Sequence, residues 1–172
     1  MAGVMIGRAA SIFGGKNVTM VQSYGPESRG GACKTEVIVS DQRIDYPKLR
    51  RPSLVAIMSH EAYKKTLDDL NDHDIMIVID PDMVQEDEST KTRRTFRVPA
   101  TRIAEELGKK LVANMVMVGA IVALTGSVEQ SAVEKAIAKY TPRGTEKLNV
   151  EAFRRGYELA RQQLSEQTVT AQ

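Results

Sequence analysis

Leu54-Val55-Ala56-Ile57-Met58 and Ile75-Met76-Ile77-Val78-Ile79 decide the class of fold. Each is an unbroken apolar run of strand length, the pattern of a parallel strand covered on both faces. Between them, His60 to Leu70 places Ala62, Tyr63, Thr66, Leu67 and Leu70 on one helical face, with Ser59 at the capping position. Ser59 also stands at a strand's carboxyl end, where open α/β sheets hold ligands, but capping is the stronger reading. Asp80-Pro81-Asp82 closes the second run. Its carboxyl groups suit magnesium, yet Asp-Pro-Asp is ordinary turn composition and nothing nearby supplies another ligand, so a turn is expected.

Outward from this centre, Val84 to Arg94 is acidic and then basic, the composition of a solvated surface excursion. Thr95 to Val98 reads as one more strand before Pro99, and Thr101 is placed to cap a helix over Arg102 to Leu107. From Lys110 to Leu124 nearly every residue is apolar or small, which predicts a helix buried on all sides and too short to span a bilayer. Asn114 interrupts it near the start, either as an N-cap or as a polar contact at a cleft. Ser127 with Gln130 has the form of a capping box for Val128 to Tyr140. Glu146 to Leu164 carries an apolar stripe at helical spacing, and Ser165 to Gln172 is a polar tail expected to fray.

Towards the start, Met1 to Phe13 has helical apolar spacing and stops at Gly14-Gly15. A short strand, Val18 to Val21, follows at once, which makes the pair half of a βαβ unit. It leads into Gln22-Ser23-Tyr24-Gly25-Pro26-Glu27-Ser28-Arg29-Gly30-Gly31. Pro26 fixes one φ, while the glycines admit conformations and close approaches that a side chain forbids. Arg29 supplies a planar fork of donors for carboxylate or phosphate. A plain turn between strands accounts for the same composition. Thr35 to Ser40 leaves the loop as a strand, Arg43 to Tyr46 reads as a short returning strand, and Arg50-Arg51-Pro52 as a charged surface turn.

Bulk properties exclude several classes. With 24 Lys+Arg against 22 Asp+Glu, there is no basic excess to hold nucleic acid or an anionic membrane. One cysteine, Cys33, excludes an internal disulfide framework and a self-held iron–sulfur cluster; it is expected to be a buried structural thiol. His60 and His73 have no metal-ligand spacing and are expected as solvated residues near helix ends. No signal-peptide pattern opens the sequence, and a cytoplasmic location is expected. No nucleophile–base pair, metal motif or thiamine diphosphate motif is legible, so this is not an autonomous catalyst.

The segment SYGPESRGG followed by TEVIVSD resembles the gamma subunit of the 2-oxoacid:ferredoxin oxidoreductases. Asn114-Met115-Val116-Met117-Val118-Gly119-Ala120 and Leu148-Asn149-Val150-Glu151-Ala152-Phe153-Arg154-Arg155-Gly156-Tyr157 agree with that family in order. The resemblance implies one α/β three-layer domain over residues 1–164, with a mostly parallel, Rossmann-like sheet flanked by helices, and a tail over 165–172. In that family a first strand and a glycine-rich GxGGQG turn precede the first helix; here the sequence opens inside the helix. It implies oxidative decarboxylation of a 2-oxoacid to its acyl-CoA in a complex using thiamine diphosphate with magnesium, iron–sulfur clusters and coenzyme A. None of these is expected to bind this chain alone. Ser23, Tyr24, Gly25, Pro26, Glu27, Ser28, Arg29, Gly30 and Gly31 match the family's segment facing the active-site entrance and the coenzyme, and Asn114 a position beside it. Some relatives carry lysines where Glu27 and Ser28 stand, which would leave Arg29 as the main anion contact.

The implied partners are alpha and beta subunits, with delta a further candidate, and ferredoxin through the complex; the isolated chain is a candidate homodimer. The YGPESRGG form resembles the 2-oxoglutarate members, with pyruvate the other substrate in view. Two other readings stay open on the residues alone: a freestanding α/β nucleotide- or anion-binding module, and an α/β protein whose loop only mediates assembly.

Overall fold

The computed structural model describes residues 1–24, 33–70 and 74–170. Its centre is a three-stranded parallel sheet of β3 (Leu54–Ile57), β4 (Met76–Ile79) and β5 (Thr95–Arg97), in that spatial order. Parallel neighbours need long crossovers. Helix α2 (His60–Asp69) lies on the first crossover, and the short α3 (Glu88–Lys91) on the second. Side chains alternate across the sheet, and β4 shows the consequence. Ile77 and Ile79 meet Tyr63 and Leu67 of α2 on one face, while Val78 joins the main core on the other. Both faces are covered, as the apolar runs require.

The main core is built on α5 (Ala113–Thr125). Most of its side chains are buried, because α4 (Ala100–Glu106), α7 (Glu146–Thr170), α1 (Ala2–Arg8) and β3 surround it. The closest contact is with α7, where Gly119 and Gly156 let the two backbones touch. Helix α6 (Gln130–Tyr140) closes the group against α7 and α1, and Gly126 ends α5 in the left-handed region at φ 59°.

At the amino end α1 passes into one π-helical turn over Ala9–Phe13, and Gly15 at φ 64° turns the chain. The expected half βαβ unit is not how the next strand is used. β1 (Asn17–Tyr24) pairs antiparallel with β2 (Cys33–Ser40) in a separate two-stranded ribbon, in register from Asn17–Ser40 to Tyr24–Cys33. A two-stranded ribbon is marginal alone, so it needs a helix against one face. Val18, Val37 and Val39 supply that face, and α1 packs on both strands. The ribbon's open end, where β1 begins and β2 finishes, is braced by Lys16 Nζ to Asp41 Oδ1 at 2.6 Å.

Other local expectations change for identifiable reasons. Residues 43–46 form no strand, and among the described residues no strand pairs with them. Thr101 lies inside α4, and its amide and hydroxyl both donate to Asp80, so a strand-end carboxyl does the bracing there. Asn114 is not an N-cap: a 3-10 turn over Lys110–Val112 runs into α5 and leaves Asn114 inside the first helical turn. Ser127 shares a hydrogen bond with Thr125, while α6 begins after Glu129 without a side-chain cap. The excursion after β4 is partly inside: Val84 and Thr90 are buried, and the buried Tyr63 hydroxyl donates to Asp87 Oδ1 at 2.9 Å. Residues 165–170, expected to fray, continue α7.

Helices α6 and α7 are also joined by Glu134, whose two oxygens take both arms of the Arg154 fork at 2.8 Å. The Arg154 hydrogen bonds hold the Glu134 carboxyl below the ordinary carboxylate range against the opposing effect of burial. A carboxyl lowered on folding stabilises fully above its unfolded value, and that stabilisation disappears as pH falls through the folded value. The melting-temperature gap between the unaltered chain and Glu134→Gln is therefore expected to be widest at neutral pH and to narrow below about pH 4. Because the pair is partly exposed, the gap is small and shrinks with salt.

Candidate functional site

The ribbon and α5 carry the residues that the sequence singles out. Ser23 and Tyr24 are the last two residues of β1, paired with Lys34 and Cys33. Gly25, Pro26, Glu27, Ser28, Arg29, Gly30 and Gly31 lie outside the described residues, as does His73. The described residues on either side of residues 25–32, Tyr24 and Cys33, are direct cross-strand partners at the end of the ribbon opposite the Lys16–Asp41 brace. At this outer end Gln22, Ser23, Cys33, Lys34 and Thr35 are all exposed. Cys33 is thus an exposed thiol, not the buried one expected: it starts a strand beyond the reach of the apolar face.

Helix α1 holds the base of this end. A Cβ on Gly3 would stand 2.4 Å from Thr35 Cγ2 and 3.0 Å from Val37 Cγ2, so helix and strand approach as closely as glycine allows. The same helix packs on α5. The ribbon base and the helix bearing Asn114 are therefore linked through α1, although Ser23 and Asn114 sit on separate elements. Composition marks Gly3 as one more small residue, and only the packing shows its role.

Asn114 Oδ1 is shielded from solvent and accepts no hydrogen bond among the described residues. A shielded amide oxygen without a donor costs free energy of the order of 1–3 kcal/mol. Such a group marks either strain or a place for an incoming N–H or O–H donor. Asn149, by contrast, has its amide nitrogen satisfied by Thr145 at 2.8 Å and 3.0 Å.

The carboxyl edge of the parallel sheet is the usual ligand position in such folds. Here it is occupied by its own bracing. Ser59 Oγ accepts from Ala62 N at 3.3 Å, the expected cap. Asp80 is fully buried; its Oδ1 accepts from Asp82 N at 3.1 Å, and its Oδ2 from Thr101 N at 2.9 Å and Thr101 Oγ1 at 2.7 Å. Asp82 pairs with Arg102. These oxygens hold β4 to α4, and the turn expected of Asp-Pro-Asp is present, with Met83 N and Val84 N donating to Asp80 O. His60 is half-buried with Nδ1 shielded and unpartnered among the described residues, its ring stacked on Tyr63 at 6.1 Å, so it is not the solvated residue expected. No group of metal-ligating side chains occurs among the described residues. No described helix is long and apolar enough to cross a membrane.

The described residues define an α/β domain whose polar groups mostly cap and brace, and which presents a ribbon end backed by a glycine-tight helix. Residues 1–159 match the pyruvate ferredoxin/flavodoxin oxidoreductase family. The chain is 47% identical over 165 residues to the 2-oxoglutarate synthase subunit KorC of Methanothermobacter marburgensis, covering 92% of this chain and 88% of that one. It is 44% identical over 164 residues to the KorC subunit of Methanocaldococcus jannaschii, covering 94% and 87%. Among solved structures, the gamma subunit of a keto/oxoacid ferredoxin oxidoreductase from Geobacter sulfurreducens superposes with a TM-score of 0.75 at 36% identity, covering 92% and 89%. The chain belongs to the pyruvate ferredoxin/flavodoxin oxidoreductase family, as a gamma-type subunit of a 2-oxoacid:ferredoxin oxidoreductase.

Proposed function

We propose that this chain serves a 2-oxoglutarate:ferredoxin oxidoreductase by helping to bind coenzyme A and by closing over an active site built mainly by alpha and beta subunits. The observation that supports the reading is the ribbon end: Ser23 and Tyr24, which open the family-like segment, finish β1 where Gln22, Ser23, Cys33 and Lys34 are exposed. The 2-oxoglutarate preference rests on the KorC relatives at 44% and 47% identity. In such a complex thiamine diphosphate supplies the decarboxylation of the 2-oxoacid, and iron–sulfur clusters carry its electrons to ferredoxin. This chain's contribution is orientation and exclusion of water.

Coenzyme A fits the chemistry of the residues assigned to it. Arg29 offers a charged fork for its phosphates, while Glu27 repels phosphate and confines that contact to the Arg29 side. Gly30 and Gly31 permit close approach, and Asn114 Oδ1 is an acceptor suited to an amide N–H such as pantetheine carries. Ser23, Tyr24, Gly25, Pro26 and Ser28 complete the segment assigned to the coenzyme. The test uses the reconstituted complex. Arg29→Ala is expected to raise the KM for coenzyme A about tenfold or more, as loss of a charge-assisted contact does, and to leave carbon dioxide release from the 2-oxoacid within about twofold. Equal loss of both half-reactions defeats the proposal. Native mass measurement tests the partners: complexes with alpha and beta subunits support it, and a stable monomer that binds nucleotide favours the freestanding module.

A further inference from the structure

One side of the molecule carries positive charge that no carboxylate among the described residues answers. Helix α1 and the π-helical turn after it, Ala2 to Phe13, contain Arg8 and no acidic residue. That turn packs on α6, whose single carboxyl, Glu134, is taken by Arg154. Arg8 is exposed on α1, and Lys135 and Lys139 are exposed on α6. None of the three has an ion pair or a hydrogen bond among the described residues. Their spacing makes this unfavourable. Lys135 and Lys139 are four apart on one helical face, where like charges repel. Arg8 and Lys139 lie over the same ring: the Arg8 guanidinium carbon is 4.4 Å from the Tyr140 centroid, and Lys139 Nζ is 5.5 Å from it. Lys139 Nζ is also 5.9 Å from the Phe13 centroid. Charges gathered on one ring stand within the Debye length of ~10 Å at 0.1 M salt, so dissolved ions do not remove their repulsion. The negative ring faces offset only part of it.

Cations seated on aromatic rings have the composition of a binding surface. Phe13 and Tyr140 are half-buried, and Ile12 beside Phe13 is 53% exposed. Tyr and Arg are the residue types that most often dominate the energy of protein contacts. A small anion is held in a concave pocket, whereas these cations stand exposed on two helices. The chain's nearly balanced charge, 24 Lys+Arg against 22 Asp+Glu, sets nucleic acid aside. The surface therefore fits carboxylates spread over another protein. It is separate from the segment assigned to the coenzyme. Gly3 approaches β2 at Thr35, near the outer end of the ribbon, while Phe13 leads through Gly14 and Gly15 to Lys16 at the braced end.

We propose that Arg8, Lys135 and Lys139, set on Phe13 and Tyr140, form the face by which this chain docks a carboxylate-bearing surface of another subunit of its oxidoreductase; the choice of partner rests on the function proposed above. The test reconstitutes the full chain with alpha and beta subunits and measures its dissociation constant by sedimentation at low and high salt. Binding of the unaltered chain is expected to weaken as salt rises. Lys139→Glu is expected to weaken it about tenfold or more at low salt and to flatten the salt dependence, since like charges then face each other. The isolated variant is expected to melt within a few degrees of the unaltered chain, because the new carboxyl answers Arg8 and Lys135. Lys139→Arg keeps the charge and is expected to bind as the unaltered chain does; weakening equal to that of Lys139→Glu overturns the proposal. Should Lys139→Glu lose its helical signal, Lys135→Glu decides, with a severalfold loss of affinity expected. Affinity and salt dependence equal to the unaltered chain's overturn the docking face and leave the coenzyme reading standing, since that is read from the KM for coenzyme A in the assembled enzyme. An unaltered chain that joins neither subunit overturns both.

Discussion

Gly156→Ala is expected to be among the most damaging single-methyl additions in this chain. A Cβ at Gly156 would lie 1.9 Å from Val116 O and 2.7 Å from Val116 C, and one at Gly119 would lie 2.0 Å from Phe153 O and 2.7 Å from Tyr157 N. The obstacle in each case is the backbone of the opposite helix, which cannot rotate aside as a side chain can. Relief requires moving α5 and α7 apart by more than an ångström, which opens gaps along the most extensive packing surface of the core. Overpacking commonly costs about 1–3 kcal/mol, and a backbone obstacle puts this case at about 3 kcal/mol or more. For a chain of this size that corresponds to a fall in melting temperature of roughly 10 °C. Gly126→Ala is the control: its φ of 59° disfavours a side chain, but a Cβ there meets nothing within 4 Å. It is expected to cost about 1–2 kcal/mol. Thermal melts of both variants check the pair, and equal losses would show that conformation, not interhelical contact, governs Gly156.

Asp80→Ala has the second large effect. Removing a fully buried carboxyl strands the amides of Asp82 and Thr101 and the hydroxyl of Thr101, and leaves a void between β4 and α4. Each buried donor left without a partner costs about 1–3 kcal/mol, and neighbouring groups recover part of this by reorienting. A net loss of about 3 kcal/mol is expected in urea unfolding. Thr101→Val alone removes only the hydroxyl, about 1 kcal/mol. In the double variant the two losses are expected to overlap, because the residues share that hydrogen bond. Strict additivity would mean that Asp80 acts through something other than Thr101.

The apolar runs at β3 and β4 and the all-round apolar α5 were legible because burial on both sides leaves an unmistakable composition. The loop segment offers residue types and a family likeness, and its residues 25–32 lie outside the described residues. What could not be read was how polar residues are shared between elements. Thr101 and Ser127 have capping composition, yet each has a different partner, Asp80 and Thr125 respectively. Cys33 reads as buried by residue type, but it begins a strand beyond the apolar face of the ribbon.

The amino-acid sequence by itself determined the α/β class, the strand–helix–strand centre, the buried helix and the family, since these depend on the kinds of residue and their order along the chain. Only the tertiary structure decided that β1 and β2 form a ribbon apart from the parallel sheet, that Asp80 braces α4, that Gly119 and Gly156 bring two backbones into contact, and that Arg8 and Lys139 share the Tyr140 ring. Hydrogen-bond partners and steric contacts between distant residues leave no periodic trace in a linear sequence. They arise when folding brings together groups many positions apart.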